Sequence, residues 1–149
     1  MKFNLSSTPL EHLNLKQDLA TDSSGALCCF EGIVRDRNDG RRVTALEYEA
    51  YPELCEKEMQ KVFQEVNQKF KVIRVNCFHR TGRLKVGKMA VWVGVTSAHR
   101  DDAFKACRFV IDQLKERLPI WKKEYYVEGD SGWINTQKNE FPQGSVLSS

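Results

Sequence analysis

The chain has 149 residues, 41% hydrophobic and 29% charged, with a formal net charge of +3. This is enough for one domain with a real core, and the charge does not by itself demand a polyanionic partner. No apolar run approaches the roughly 20 residues of a membrane span, and the opening MKFNLSSTPLEHLNLK has no apolar signal core. A single cytoplasmic domain is expected.

Met1–Leu5 reads as a short strand, and Leu10–Leu19, with Leu10, Leu13 and Leu19, as a weak helix. Ala26–Arg35 (ALCCFEGIVR) lacks a helical period and is rich in strand formers; Gly32 inside it marks a bulge or a close backbone approach. Arg37–Arg41 is a turn, and Val43–Tyr51 the return strand of a hairpin. Leu46, Tyr48 and Ala50 share one face of that strand, Glu47 and Glu49 the other. Pro52 opens a helix to about Lys69, with Cys55, Met59, Val62, Phe63, Val66 and Phe70 on its apolar side. Strand Val72–His79 follows, then a loop with Gly82 and Gly87. Lys88–Thr96 is apolar almost throughout and suits a central strand covered on both faces.

The stretch Ser97–Glu124 reads as a helix, a proline break and an extended exit. Ala103, Cys107, Val110, Ile111, Leu114 and Leu118 form one helical face. Thr96 and Ser97 are candidate caps, Asp101 and Asp102 suit the positive end, Lys115 and Arg117 the negative end, and Pro119 stops the helix. A helical wheel puts Arg100 on the apolar face and Lys115 at its border. A charge there needs a partner or an anionic ligand. Tyr125–Val127 is a candidate edge strand, and the polar chain from Gly129 onward is expected to fray. The order of elements implies an α+β domain of two layers, helices packed on a mostly antiparallel sheet. The equal apolar offsets of the two helices fit an internal duplication, or simply two core helices of similar length.

There is no Ser-His-Asp arrangement, P-loop or G-x-G-x-x-G. The five cysteines, Cys28, Cys29, Cys55, Cys77 and Cys107, lie inside apolar patterns without a C-x-x-C pair. They read as small buried hydrophobes in a reducing compartment, with a reactive thiol as the alternative. The three histidines are not paired at ligand spacing, so no metal site is expected. A basic constellation is left: Arg35, His99, Arg100, Lys115, Lys122 and Lys123. A helix start favours an anion near His99 and Arg100. Lys115 lies about 15 residues further on, about 22 Å away. One small ligand meets both ends only if it is elongated or the site spans two chains. Trp121 implies partial burial of Lys122, which lowers a lysine's basicity and makes it usable in catalysis. Plainer readings exist: a solvated Arg35, a satisfied helix-start His99, and Lys115 and Lys123 complementing the helix end. Spacing alone supports an anion site with a candidate catalytic lysine.

The segments GALCCFEGIVRDRNDG, LEYEAYPE, FHRTGRLKVG, VGVTSAHRDDAFKACRFVIDQLKERLPIWKKE and EGDSGW closely resemble, in this order, the large (catalytic) subunit of molybdopterin synthase. The likeness runs from about Gly25 to Trp133; residues 1–24 and 134–149 carry none of it and are expected to be the less ordered ends. The resemblance implies an α/β hammerhead fold and an enzyme without its own cofactor or metal. Such enzymes convert cyclic pyranopterin monophosphate to molybdopterin by inserting two dithiolene sulfurs. Sulfur comes from a C-terminal Gly-Gly thiocarboxylate on a small ubiquitin-like subunit, and two large subunits form the homodimer at the centre of a heterotetramer. By motif, Lys115 and Lys122 match the family's catalytic lysines, and His99 and Arg100 its substrate contacts. Lys123 and Glu124 complete the binding segment, and Arg35 matches the arginine closing the first strand. A site shared across the dimer would relieve the separation of the two helix ends. Ile33 stands where some relatives place a basic residue, so it is left out. The rival class is a non-catalytic α+β module binding RNA or another polyanion through its basic face. Against it, aromatics are not interleaved with the basic residues in a recognisable pattern.

Overall fold

The computed structural model describes residues 1–137. In chain order the elements are β1 (Lys2–Ser6), a 3-10 turn (Leu10–His12), β2 (Ala26–Ile33), β3 (Arg37–Asn38), β4 (Arg41–Ala50), α1 (Pro52–Lys69), β5 (Arg74–Arg80), β6 (Gly82–Lys85), β7 (Met89–Ser97), α2 (Arg100–Arg117), β8 (Ile120–Tyr126) and β9 (Gly129–Asn135). The fold is α+β, as expected, but the strands divide into two sheets. The first has the order β1–β5–β7–β2, with β1 parallel to β5 and the other neighbours antiparallel. The second has the order β3–β4–β8–β9, with β6 also on β4, and is antiparallel throughout.

Both helices form where the apolar period places them. Pro52 starts α1 in the first turn, where a missing N–H costs nothing. Cys55, Met59, Val62, Phe63 and Val66 of α1 are buried, as are Ala103, Ala106, Cys107, Val110, Ile111 and Leu114 of α2. Helix α2 lies against β7 and β2, beside α1. Arg117 ties the helices together by donating to Glu65 at 2.9 and 3.0 Å and lying 3.6 Å from Glu58. Every residue of β7 is buried. One face of it joins the main core; the other holds Trp92 in a second cluster with Leu10, Leu19, Phe78 and Met89.

Several expectations are corrected. Thr96 and Ser97 do not cap α2: His99 occupies the cap, Thr96 Oγ1 donates to the Leu19 carbonyl at 2.8 Å, and the Ser97 hydroxyl donates to the His99 carbonyl. Arg100 is exposed at the first helical residue, where the chain has not yet reached the core. Leu10–Leu19 is no helix beyond its single 3-10 turn. Its leucines are too sparse for a helical stripe; Leu10 and Leu19 instead cover the outer face of the first sheet, both fully buried. Asn76 satisfies two of that segment's carbonyls, Leu15 and Gln17, at 3.0 and 3.1 Å.

The hairpin partner of β4 is β3 rather than β2. Strand β2 pairs with β7, and β4 with β8, so the chain changes sheets between Ile33 and Arg37. A register shift between Gly32 and Ile33 marks the departure, and a Cβ on Gly32 would sit 2.6 Å from Val91. Cys29 is exposed, because strand alternation turns it away from the core face that Cys28 packs against, whereas Cys55, Cys77 and Cys107 are buried. The Gly82 loop contains β6. Strand β8 is longer than Tyr125–Val127 and central in its sheet. Gly129–Asn135 is not frayed but pairs with β8 as β9; the rest of that tail, from residue 138, lies outside the described residues. No helix among the described residues is long and apolar enough to cross a membrane.

Candidate active site

Helix α2 ends at Arg117 with Leu118 as its extended cap, and Pro119 turns the chain directly into β8. Strand alternation then sorts the WKKE segment. Ile120, Lys122 and Glu124 point inward and are buried; Trp121, Lys123 and Tyr125 point the other way and are only half-buried. Lys122 and Glu124 are each 5% exposed, a depth at which a charge needs a partner. The Lys122 Nζ lies 3.9 Å from Glu124 Oε2. Glu124 also accepts from Asn38 Nδ2 at 2.8 Å and from the Tyr126 hydroxyl at 2.9 Å.

Burial holds the Lys122 ammonium below the ordinary lysine range; Glu124 pulls it back up, and the Arg35 guanidinium pushes it down again. Arg35, exposed two residues beyond β2, thus lies in the field of Lys122. Tyr48 on β4 is the cross-strand partner of Lys122. Burial, and then the Glu124 charge, push its phenol upward, so it stays a neutral hydroxyl. The Tyr48 ring meets the His79 ring edge-on, with centroids 4.9 Å apart. His79 is 6% exposed, and its Nδ1 lies 2.8 Å from the Arg80 carbonyl. A carbonyl only accepts, so Nδ1 carries the proton and Nε2 is bare. Burial lowers this imidazole to about 4, against the Arg80 hydrogen bond and with help from the Lys115 charge. His79 is therefore neutral at pH 7. Lys115, His79, Tyr48, Lys122 and Glu124 form a run of neighbours, with Arg35 and Asn38 at its end.

The other sequence candidates lie elsewhere in the chain. Lys123, on the opposite face of β8, stacks 4.8 Å from the Trp133 ring centroid. Its cross-strand partner is Glu47, which accepts from the Tyr125 hydroxyl at 2.6 Å. His99 and Arg100 are exposed at the far end of α2. One chain therefore brings together Arg35, Lys115, Lys122 and Glu124, and leaves His99, Arg100 and Lys123 apart from them. Asn38, Tyr48, His79 and Tyr126 were not singled out from the sequence. Tyr48 had a signal, its place on the apolar face of LEYEA. Asn38 had none, since it meets a residue 86 positions away. Among the described residues no cluster of three or more His, Cys, Asp or Glu side chains could hold a metal ion.

The sequence profile described as MoaE protein matches residues 5–117, most of the chain. The chain belongs to the MoaE family. It is 49% identical over 110 residues to the molybdopterin synthase catalytic subunit of Pseudomonas aeruginosa, covering 74% of this chain and 73% of that protein. It is 40% identical over 121 residues to the protein of the same name from Thermoplasma volcanium, covering 81% and 88%. The crystal structure of molybdopterin synthase from Staphylococcus aureus superposes with a TM-score of 0.81 at 33% identity, over 88% of this chain and 95% of that one. The MoaE profile spans Arg35, His99, Arg100 and Lys115 and stops before Lys122, Lys123 and Glu124.

Proposed function

We propose that this MoaE-family protein is a sulfur transferase that converts cyclic pyranopterin monophosphate to molybdopterin. The sulfur donor is the thiocarboxylate on the C-terminal Gly-Gly of a small ubiquitin-like subunit. Each transfer replaces one C–O bond of the pterin side chain with a C–S bond, the oxygen leaving on the opened phosphate ester or as water. Water cleaves the partner's acyl–sulfur bond to release its C-terminus as a carboxylate. The observation that carries the reading is Lys122: a buried ammonium of lowered basicity, 3.9 Å from a fixed carboxylate and opposite Tyr48, whose ring meets His79. Such a lysine can donate a proton or a charge-assisted hydrogen bond where negative charge develops during acyl and sulfur transfer. Lys115, half-buried at the end of α2, is the second cation of the site.

Arg35 supplies a fixed positive charge for the phosphate. His99 and Arg100 serve the site of a second copy, in a homodimer that carries one small subunit at each end, and Lys123 belongs with Glu124 to the binding segment that follows the other end of α2. This arrangement lets both ends of α2 contribute without one ligand spanning about 22 Å. The RNA-binding alternative is set aside: polyanion binding uses exposed cations, whereas Lys122 is buried and paired within the fold. The deciding experiment incubates the protein with a thiocarboxylated small subunit and cyclic pyranopterin monophosphate, and assays for the dithiolene product. Product is expected with wild type and not with Lys122→Ala. No product from wild type would overturn the reading.

A further inference from the structure

The tip of the β3–β4 hairpin makes contacts that the sulfur-transfer reading does not use. Asp39 and Gly40 both have positive φ, 50° and 77°, as a two-residue turn matched to the twist of its strands requires. The turn makes Asn38 and Arg41 direct cross-strand partners. Both reach the same end of β8. Asn38 Nδ2 donates to Glu124 Oε2 at 2.8 Å, and the Arg41 guanidinium lies 3.7 Å from the centroid of the Tyr126 ring. Tyr126 in turn donates its hydroxyl to Glu124 Oε1 at 2.9 Å. Each oxygen of a nearly inaccessible carboxylate is thus held by a neutral donor.

We propose that Asn38 and Tyr126 are positioning residues for Lys122, holding the Glu124 carboxylate in place 3.9 Å from its ammonium. Arg41 and the Asp39–Gly40 turn hold the two donors in place. The inference rests on the sulfur-transfer reading only for what Lys122 does, not for how it is held. The charged or titratable groups around Lys122 are Glu124 and Tyr126 of β8, Tyr48 of β4 and Arg35 after β2, with His79 and Lys115 beyond Tyr48. Of these Glu124 is the anion, and it opposes both burial and Arg35. Without its two donors the carboxylate is free to swing away, and Lys122 loses that support.

The test is an NMR titration of lysine labelled with carbon-13 at Cε, in the intact protein. Lys122 is assigned by the signal missing from Lys122→Arg. In Asn38→Ala and in Tyr126→Phe the Lys122 titration is expected to move to lower pH, and furthest in the double variant. Tyr126→Phe keeps the ring over Arg41, so it stays informative even where Asn38→Ala loosens the turn. In the sulfur-transfer assay kcat should fall about tenfold or more, with KM within about twofold. An unmoved Lys122 titration in folded Tyr126→Phe overturns the proposal. So does a rise in KM at constant kcat, which would place these side chains against substrate. A shifted titration in a protein whose wild type forms no dithiolene sinks the sulfur-transfer reading and leaves the clamp standing.

Discussion

At the scale of single residues, the two lysines differ from their neighbours in what surrounds them. Lys115→Ala should keep the melting temperature within a few degrees, whereas Lys122→Ala leaves the buried Glu124 without its cation and should lower it. In folded protein each should lose roughly a hundredfold or more in sulfur transfer. Lys105→Ala is the control: Lys105 is paired across the exposed helix surface to Asp101 at 3.0 Å. Its turnover should match wild type; a comparable loss there would remove the case for Lys115. Lys115→Arg should not restore activity, because a guanidinium gives up no proton near neutral pH. His79 gives a stability signature. Its folded value, about 4, lies below the ordinary 6.5, so the unfolded chain takes up the proton first. Stability is therefore full above about pH 6.5 and declines as pH falls toward 4, by on the order of 3 kcal/mol. In His79→Phe the melting temperature should change less steeply across that window than in wild type. The cysteines should be dispensable for chemistry. Burial pushes the thiols of Cys55 and Cys107 up to about 11 and about 12, so neither offers a thiolate near neutral pH. A folded single Cys→Ala variant without turnover would point to a persulfide route.

At the scale of elements, legibility followed the strength of the local period. Helix α1 was readable to its ends because Pro52 and five buried side chains mark one face. Strand β7 was readable because both its faces are apolar. Strands β6 and β9 were not, since Gly82–Lys85 and Gly129–Asn135 carry mixed, half-exposed side chains and owe their pairing to β4 and β8. The β2–β4 mispairing has the same origin: two strand-like runs flank a turn signal, and nothing local shows that the first one leaves for another sheet. The basic residues of the site were legible by type, but Asn38 and His79 become meaningful only through tertiary contact. One element-scale prediction concerns β7. A Cβ at Gly94 would lie 2.3 Å from the Trp92 ring and 2.8 Å from Leu19. Gly94→Ala should therefore cost about 1–3 kcal/mol by overpacking. It should also loosen the segment around Leu19, seen as faster proteolysis of residues 7–21. Unchanged melting and digestion would show that the N-terminal cover yields freely.

At the scale of the whole molecule, the separation of His99 and Arg100 from Lys122 predicts a dimer. Light scattering at micromolar concentration should give twice the chain mass of 17.2 kDa, and a fully active monomer would contradict a shared site. The exchange of strands between the sheets also bears on how the chain acquires its shape. Strand β1 waits for β5, β2 for β7 and β4 for β8, so neither sheet closes until the later half has been synthesised. Long loops must close before those pairings repay the lost entropy, which places refolding on the order of milliseconds to seconds, not microseconds. During that interval the edge of β2, with Leu27 and Ile33 still exposed even in the finished fold, is open to strands of other chains. Refolding yield should consequently fall as protein concentration rises.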